Sequence, residues 1–172
     1  QDSTLAQGGL VRFADRFDVD ENGVNIIANI LYNNDSQKVV VYRLDNGHYT
    51  YKQTIIPPND SAAMINFGSD ISISGDGTLV AVGSPLKDLT NIDMGAVYVY
   101  KKSTDDTGVY NYNQTLTSPD REVSENFGHT LAFSGSVLAV TSLKGDMQVP
   151  TTLDAGTTSF DDEMTTFTKT FT

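Results

Sequence analysis

Apolar and polar residues alternate along much of this chain with a period of two, the spacing of β-strands that bury one face. In the middle of the chain the pattern predicts four strands, at residues 70–74, 79–83, 96–101 and 110–117. The second of these is apolar on both faces, which is typical of a strand covered on both sides. The sequence has no sustained helical period, so we predict an all-β fold.

The same succession of landmarks occurs three times. Each copy begins with a phenylalanine, at Phe13-Ala14, Phe67-Gly68 and Phe127-Gly128, and ends in a closing strand, which in the third copy lies at residues 167–171. The landmarks recur about every 54–61 residues, a period that matches a four-stranded β-propeller blade. We therefore predict one propeller segment over residues 1–172, with about three blades of four antiparallel strands. The predicted blades cover residues 10–58, 64–118 and 124–172.

Three blades are fewer than a closed propeller needs, since propellers have about four to eight. Each blade buries its apolar face against a neighbour, so we expect further blades from the same longer chain or from neighbouring subunits. Residues 1–9 favour the longer chain, because their position and composition are those of the end of a preceding blade.

The chain is acidic, with 22 acidic and 11 basic residues and a net charge of −11. Such a charge repels phosphate backbones and anionic lipid surfaces, so neither nucleic acid nor a membrane is an expected partner. No apolar run approaches the roughly 18 residues of a membrane span. The chain has no cysteine, which excludes disulfides and thiolate metal sites.

The second copy resembles an FG-GAP repeat. The resemblance is carried by Phe67-Gly68, the Gly75-Asp76-Gly77 turn, Ala81-Val82-Gly83-Ser84-Pro85 and Gly95-Ala96-Val97-Tyr98-Val99-Tyr100. FG-GAP repeats build the β-propeller of integrin α-subunits and of many bacterial, algal and viral surface proteins. The resemblance implies an extracellular, cell-surface or virion-surface module that binds a protein or glycan ligand and is not an enzyme.

Two alternative functions stay open. The chain is also consistent with a structural subunit of an extracellular filament or virion surface assembly, completed by neighbouring subunits. It is equally consistent with a non-catalytic accessory module of a larger hydrolase.

The resemblance further implies a calcium site in the turn between the first two strands of a blade. Calcium takes six to eight oxygen ligands, which alternate acidic residues on a tight loop can direct to one point. The first copy alone offers such a string, in which Asp18, Asp20 and Asn22 fit the first three ligand positions. Ile26 stands where a further carboxylate is expected, with Asn25 beside it. The alternative is an ordinary turn rich in Asp and Asn; no other cofactor is expected.

Three sequons, at Asn34, Asn59 and Asn113, are candidate glycosylation sites. They favour a secretory route. We expect a partner to contact one end of the blades, formed by the loops around residues 18–23, 85–93 and 143–153.

The remaining candidate residues favour architecture over chemistry. Asp35, Asp93 and Asp154 recur before the third strand of each copy, where an aspartate caps backbone N–H groups of a turn. The two histidines, His48 and His129, show no spacing typical of a catalytic triad, so no catalytic residue is predicted.

Overall fold

The computed structural model describes residues 10–32, 37–58, 66–87, 93–105, 107–118, 124–143, 159–161 and 164–170. These ranges contain β-strands and no helix, so the described residues include no helix long and apolar enough to cross a membrane. The strands are β1 (Leu10–Val19), β2 (Asn25–Tyr32), β3 (Gln37–Asp45), β4 (His48–Ile55), β5 (Ile71–Ile73), β6 (Leu79–Ser84), β7 (Ala96–Lys102), β8 (Tyr110–Leu116), β9 (Thr130–Ser134), β10 (Val137–Ser142), β11 (Ser159–Asp161) and β12 (Met164–Thr170).

The strands form three separate antiparallel sheets of four strands each. The first two sheets have the simple orders β1-β2-β3-β4 and β5-β6-β7-β8. The first strands of the three sheets, β1, β5 and β9, lie side by side, and each sheet packs face to face on the next. This is the arrangement of consecutive blades in a β-propeller, and it confirms the predicted all-β class and the four-stranded antiparallel blades.

The third sheet differs from the other two in its strand order, which is β9-β10-β12-β11. Residues 167–171 were predicted to close this blade, and that prediction is wrong for 167–170, which belong to β12 in the third position. β12 pairs with all six residues of β10, whereas the three-residue β11 pairs only with β12. The longer segment thus takes the inner position and the three-residue β11 the edge.

Two apolar cores separate the three blades. We call the side of a blade that faces the next blade its forward face, and the opposite side its backward face. Between the first two blades, the backward-facing Ile71 and Ile73 lie in one cluster with Ile27, Val39 and Val41. Between the second and third blades, a second cluster joins the forward-facing residues Leu79, Ala81, Val97 and Val99 to Phe127, Leu131, Leu138 and Val140. Successive residues of each strand thus serve opposite interfaces, which explains why residues 79–82 are apolar throughout.

The phenylalanine that opens each copy belongs to the backward face of its blade. Phe67 and Phe127 are buried, and each precedes a glycine with a positive φ, 83° at Gly68 and 87° at Gly128. A Cβ on Gly128 would lie 2.8 Å from the Ala96 carbonyl oxygen of the second blade. Ala14 in the first blade has a φ of 59°, so alanine takes the left-handed backbone conformation that glycine supplies in the other copies.

Candidate functional site

A cleft of about 470 Å³ opens beside the first strands of the three blades. We call it the axial cleft. Its walls come from the first strands, from the turns that precede them and from the loops after β6 and β10. The lining residues are Arg16, Asn66, Ser69, Asp70, Pro85, Leu86, Asn126, His129, Thr130 and Leu143.

Asp70 lies at the centre of the polar contacts in this cleft. It stands immediately before β5, and its carboxylate accepts a hydrogen bond of 2.7 Å from the backbone N–H of Leu131 in the third blade. The other carboxylate oxygen lies 3.6 Å from Nε of Arg16 in the first blade. One side chain therefore connects all three blades at the mouth of the cleft.

Burial raises the pKa of the Asp70 carboxyl above its ordinary value. The hydrogen bonds from Leu131 and Ile71 and the charges of Arg16 and His129 act in the opposite direction, but desolvation is the larger effect. Arg16 and His129 are exposed residues at the rim of the cleft.

The floor of the cleft is fixed by two asparagines in left-handed turns. Asn66 and Asn126 have φ values of 63° and 56° and each precedes the phenylalanine of its blade. The side-chain amide of Asn126 donates to the Pro85 carbonyl at 3.2 Å. The cleft thus presents backbone turns together with a guanidinium and an imidazole.

Of the three predicted calcium ligands, Asp20 and Asn22 lie in the turn after β1, whereas Asp18 lies within β1, two residues from the cleft-lining Arg16. Asp20 is buried, and its Oδ1 accepts hydrogen bonds from the backbone N–H of Val24 at 2.7 Å and of Asn25 at 3.1 Å. Its Oδ2 accepts from the side-chain amide of Asn25. Asn22 is exposed.

The buried Asn25 Oδ1 has no hydrogen-bond partner among the described residues, so one oxygen beside Asp20 is available to a cation. Calcium would nonetheless compete with existing hydrogen bonds of Asp20, because both of its carboxylate oxygens already accept N–H donors. Among the described residues, no group of three or more His, Cys, Asp or Glu side chains is placed to hold a metal ion. Calcium binding at Asp18, Asp20 and Asn22 stays a prediction.

Asp18 connects the first blade to the second. Its Oδ2 accepts hydrogen bonds of 2.9 Å from both the hydroxyl of Ser72 and the backbone N–H of Ile73. At the next interface, Ser72 is the equivalent residue, and its hydroxyl oxygen accepts from the N–H of Phe133 at 3.0 Å. One position of the repeat therefore supplies an acceptor to the following blade. Sequence reasoning missed this role because the same carboxylate also fits a metal-ligand pattern.

The described parts of the loops that were predicted to share one partner-binding end lie at both ends of the blades, and residues 88–92 and 144–153 lie outside the described residues. The N–H of Glu21 donates to the Gly75 carbonyl at 3.0 Å, which places the turn after β1 beside the turn after β5. Pro85 and Leu143, in contrast, follow the second strands and line the axial cleft. The grouping of residues 18–23 with 85–93 and 143–153 was therefore wrong, because antiparallel strands place successive loops at alternate ends. We call the end with the turns after β1 and β5 the turn end.

The remaining predicted residues are placed only in part. Asn113 is exposed on the outer strand β8, whereas Asn34 and Asn59 lie outside the described residues. Glycosylation at the three sites stays a prediction. Asp93 has a φ of 53°, and its carbonyl accepts a hydrogen bond of 3.0 Å from the N–H of Asn126. Asp35 and Asp154 lie outside the described residues, and His48 is exposed.

The fold defines the class of protein: consecutive four-stranded antiparallel blades that pack face to face make this chain a partial β-propeller. Comparison with protein families is consistent with this class. Residues 50–100 match the family model of the FG-GAP repeat, which confirms the resemblance over a span from β4 through most of β7. The chain thus carries an FG-GAP repeat.

The other comparisons concern curated proteins and solved structures. No curated protein matches the sequence. Among solved structures, the chain is similar to a putative 6-phosphogluconolactonase from Bacteroides uniformis, with 16% sequence identity and a TM-score of 0.48. The match covers 77% of this chain and 33% of that protein, so this chain spans about a third of its length. A likeness of this degree carries no functional argument.

Proposed function

We propose that this propeller segment is a binding or adhesion module of an extracellular, cell-surface or virion-surface protein, and that its protein or glycan ligand binds in the axial cleft. The observation that carries the proposal is the convergence of Arg16, Asp70 and His129, from three successive blades, around one cleft of about 470 Å³. A volume of this size accommodates a side chain or a sugar residue of a larger ligand.

The chemistry of the cleft supports binding of a polar group that both accepts and donates hydrogen bonds. The Arg16 guanidinium offers donors in a planar fork, and the Asp70 carboxylate offers acceptors. The contact between His129 Nδ1 and Thr130 Oγ1 is long, at 3.3 Å, and joins sequence neighbours. This geometry favours recognition over nucleophilic chemistry, so the proposal assigns no catalytic residue.

The exposed sequon at Asn113 supports the extracellular setting, because a glycan can attach there without displacing the core. Intact mass of the native polypeptide before and after glycosidase treatment tests this part of the proposal. A loss of mass that Asn113→Gln reduces supports it, whereas an unchanged mass contradicts glycosylation.

Binding itself is tested on an array of immobilised glycans and peptides. We expect the unmodified chain to retain a restricted set of ligands, and Arg16→Gln and His129→Ala to lose that set. Lys101→Gln is a matched control, since it removes one exposed positive charge at the turn end. If the cleft variants bind as the unmodified chain does, or if only Lys101→Gln loses binding, the cleft is not the site.

A second candidate function is a structural subunit completed by neighbouring subunits. It is favoured by the apolar side chains that the first blade exposes on its backward face, chiefly Phe13 and Phe17. An accessory role beside a larger hydrolase stays a prediction that no described residue favours.

A further inference from the structure

A second groove, of about 390 Å³, opens between the first and second blades. We call it the interblade groove. It adjoins the axial cleft, because Arg16 and Ser69 line both of them. Its lining is almost entirely polar or charged, with Leu31 as the one apolar residue.

The interblade groove belongs to the forward face of the first blade. Leu31 and Gln37 line it and form a cross-strand pair of β2 and β3. Two residues along the same strands lies the pair of Asn29 and Val39, and Val39 packs in the cluster between the first and second blades. A preceding blade would pack on the opposite, backward face, so the groove lies between two blades of this chain.

Side-chain amides position the walls of the groove. Oδ1 of Asn29 accepts a hydrogen bond of 2.9 Å from the backbone N–H of Arg16, and its amide nitrogen donates to the Gly68 carbonyl of the second blade at 3.1 Å. The amide nitrogen of Gln37 donates to Oδ1 of Asn66, also in the second blade, at 3.3 Å. The groove is therefore held from both blades.

Two polar atoms of the lining residues lack hydrogen-bond partners. Oγ of Ser69 and Oε1 of Gln37 are buried, and neither forms a hydrogen bond with any described residue. A buried polar atom without a partner is unfavourable, so such atoms mark where a ligand or a water molecule completes a site. The Ser69 hydroxyl can donate or accept and the Gln37 oxygen accepts, so both suit a hydroxyl group of a ligand.

Two arginines give the groove its capacity for an anion. Arg12 forms an ion pair of 2.9 Å with Asp15, but both side chains are exposed, and such pairs are weak enough for a ligand carboxylate to replace Asp15. Nη1 of Arg16 lies 3.4 Å from the Asp15 carbonyl oxygen, and its Nε lies 3.6 Å from Asp70. Both distances are longer than the charge-assisted hydrogen bonds that arginine typically forms, so Arg16 can also bind a carboxylate.

We infer that the interblade groove binds a uronic acid residue of an acidic glycan. The carboxylate of the sugar contacts Arg12 and Arg16, and its hydroxyl groups contact Ser69 and Gln37. A uronic acid carries both kinds of group on one ring, whereas the side chain of an aspartate or glutamate carries the carboxylate alone. The inference rests on the proposed function, since the next residue of the same glycan occupies the adjoining axial cleft.

Binding is measured by titrating the isotope-labelled full chain with glucuronic and galacturonic acid and with the matched neutral sugars, glucose and galactose. We expect the uronic acids to bind at least about tenfold more tightly than the neutral sugars, and Arg12→Gln to abolish this preference. Ser69→Ala should weaken uronic acid binding about threefold or more without lowering the melting temperature, because its hydroxyl has no partner to lose. Lys101→Gln, at the turn end, is the matched control and should bind like the unmodified chain.

Arg12 and His129 separate this inference from the proposed function, because Arg12 lines the groove and His129 lines the axial cleft. The inference is overturned if the uronic acids bind no better than the neutral sugars, or if Arg12→Gln and Ser69→Ala bind them unchanged. It is also overturned if glutamate blocked at both backbone ends binds as tightly as the uronic acids. In each of these cases, loss of the array ligands by His129→Ala would still support the axial cleft. Conversely, uronic acid binding that depends on Arg12, with array ligands retained by His129→Ala, supports the groove and contradicts the cleft.

Discussion

Gly95 is the position where one added methyl group should most directly disturb the packing of the second blade on the third. It has a φ of 81° and forms an isolated parallel bridge with Phe127. Just before it in the chain, the carbonyls of Asp93 and Met94 accept hydrogen bonds from the N–H groups of Asn126 and Phe127, at 3.0 and 2.9 Å. A Cβ on Gly95 would lie 2.9 Å from the carbonyl carbon of Asn126 and closer still to the backbone of Phe127.

The expected destabilisation of Gly95→Ala has two parts. Alanine in the left-handed backbone conformation costs about 1–2 kcal/mol relative to glycine. Moving the Phe127 backbone away from the new methyl group weakens two backbone hydrogen bonds, each with a net value of about 1 kcal/mol. We therefore expect Gly95→Ala to lower the free energy of unfolding by about 3–4 kcal/mol.

Gly47→Ala is the matched control for this prediction. Gly47 also has a φ of 81°, but a Cβ there would meet nothing within 4 Å. Only the backbone cost of about 1–2 kcal/mol applies to it. Urea unfolding of both variants, followed by circular dichroism, should give a difference of about 2 kcal/mol between them. Equal destabilisation of the two variants would refute the close contact between Gly95 and Phe127.

Three further substitutions test other contacts. Asp18→Ala removes an acceptor that joins the first two blades and should lower the free energy of unfolding by about 1–3 kcal/mol. Asp15→Ala, at an exposed ion pair on the same strand, is the control and should lower it by under about 1 kcal/mol in the same urea unfolding experiment. Asp20→Ala should lower the free energy of unfolding by about 1–3 kcal/mol without any metal, because Asp20 accepts the hydrogen bonds of the turn after β1. If calcium also binds there, millimolar calcium raises the melting temperature of the unmodified chain but not that of the variant. An unchanged melting temperature of the unmodified chain contradicts the calcium prediction. The hydrogen bond from the Ser74 hydroxyl is the largest of the effects that hold the pKa of Asp76 below its ordinary value of 3.8. The ionised Asp76 carboxylate therefore stabilises the folded state above pH 3.8, and this stabilisation is lost as the pH falls through the lower folded-state pKa. Acid titration of Asp76→Asn should accordingly show a shallower loss of stability than the unmodified chain.

The fold class was predictable because its signals are local. Alternation of apolar and polar residues marked the strands, and the recurrence of Phe67-Gly68 as Phe127-Gly128 marked the blades. Even the apolar run in β6 had its physical explanation in the sequence, since residues buried on both faces need no polar alternation.

The strand order of the third blade was not predictable in the same way. β11 and β12 differ mainly in length, and which of them pairs with β10 depends on contacts distant in sequence. Local propensity describes a strand but does not select its partner.

The candidate site was predictable only in its chemistry. Asp18 fits a calcium-ligand pattern and an acceptor for the next blade equally well, because a carboxylate oxygen can serve in both roles. Asp70 gave no signal at all, since its repeat equivalents are Arg16 and Thr130, and its importance arises from the convergence of three blades. The placement of the loops was predictable, in contrast, because the connections after the first and second strands of an antiparallel blade lie at opposite ends.

Backbone amide shifts of the isotope-labelled chain, titrated with the strongest ligand from the glycan and peptide array, test most directly whether the axial cleft is the binding site. The proposed function predicts that the largest shift changes cluster at Arg16, Asp70, His129 and Thr130, which line the cleft. Changes confined to the turn end, around residues 20–23 and 74–78, would contradict it.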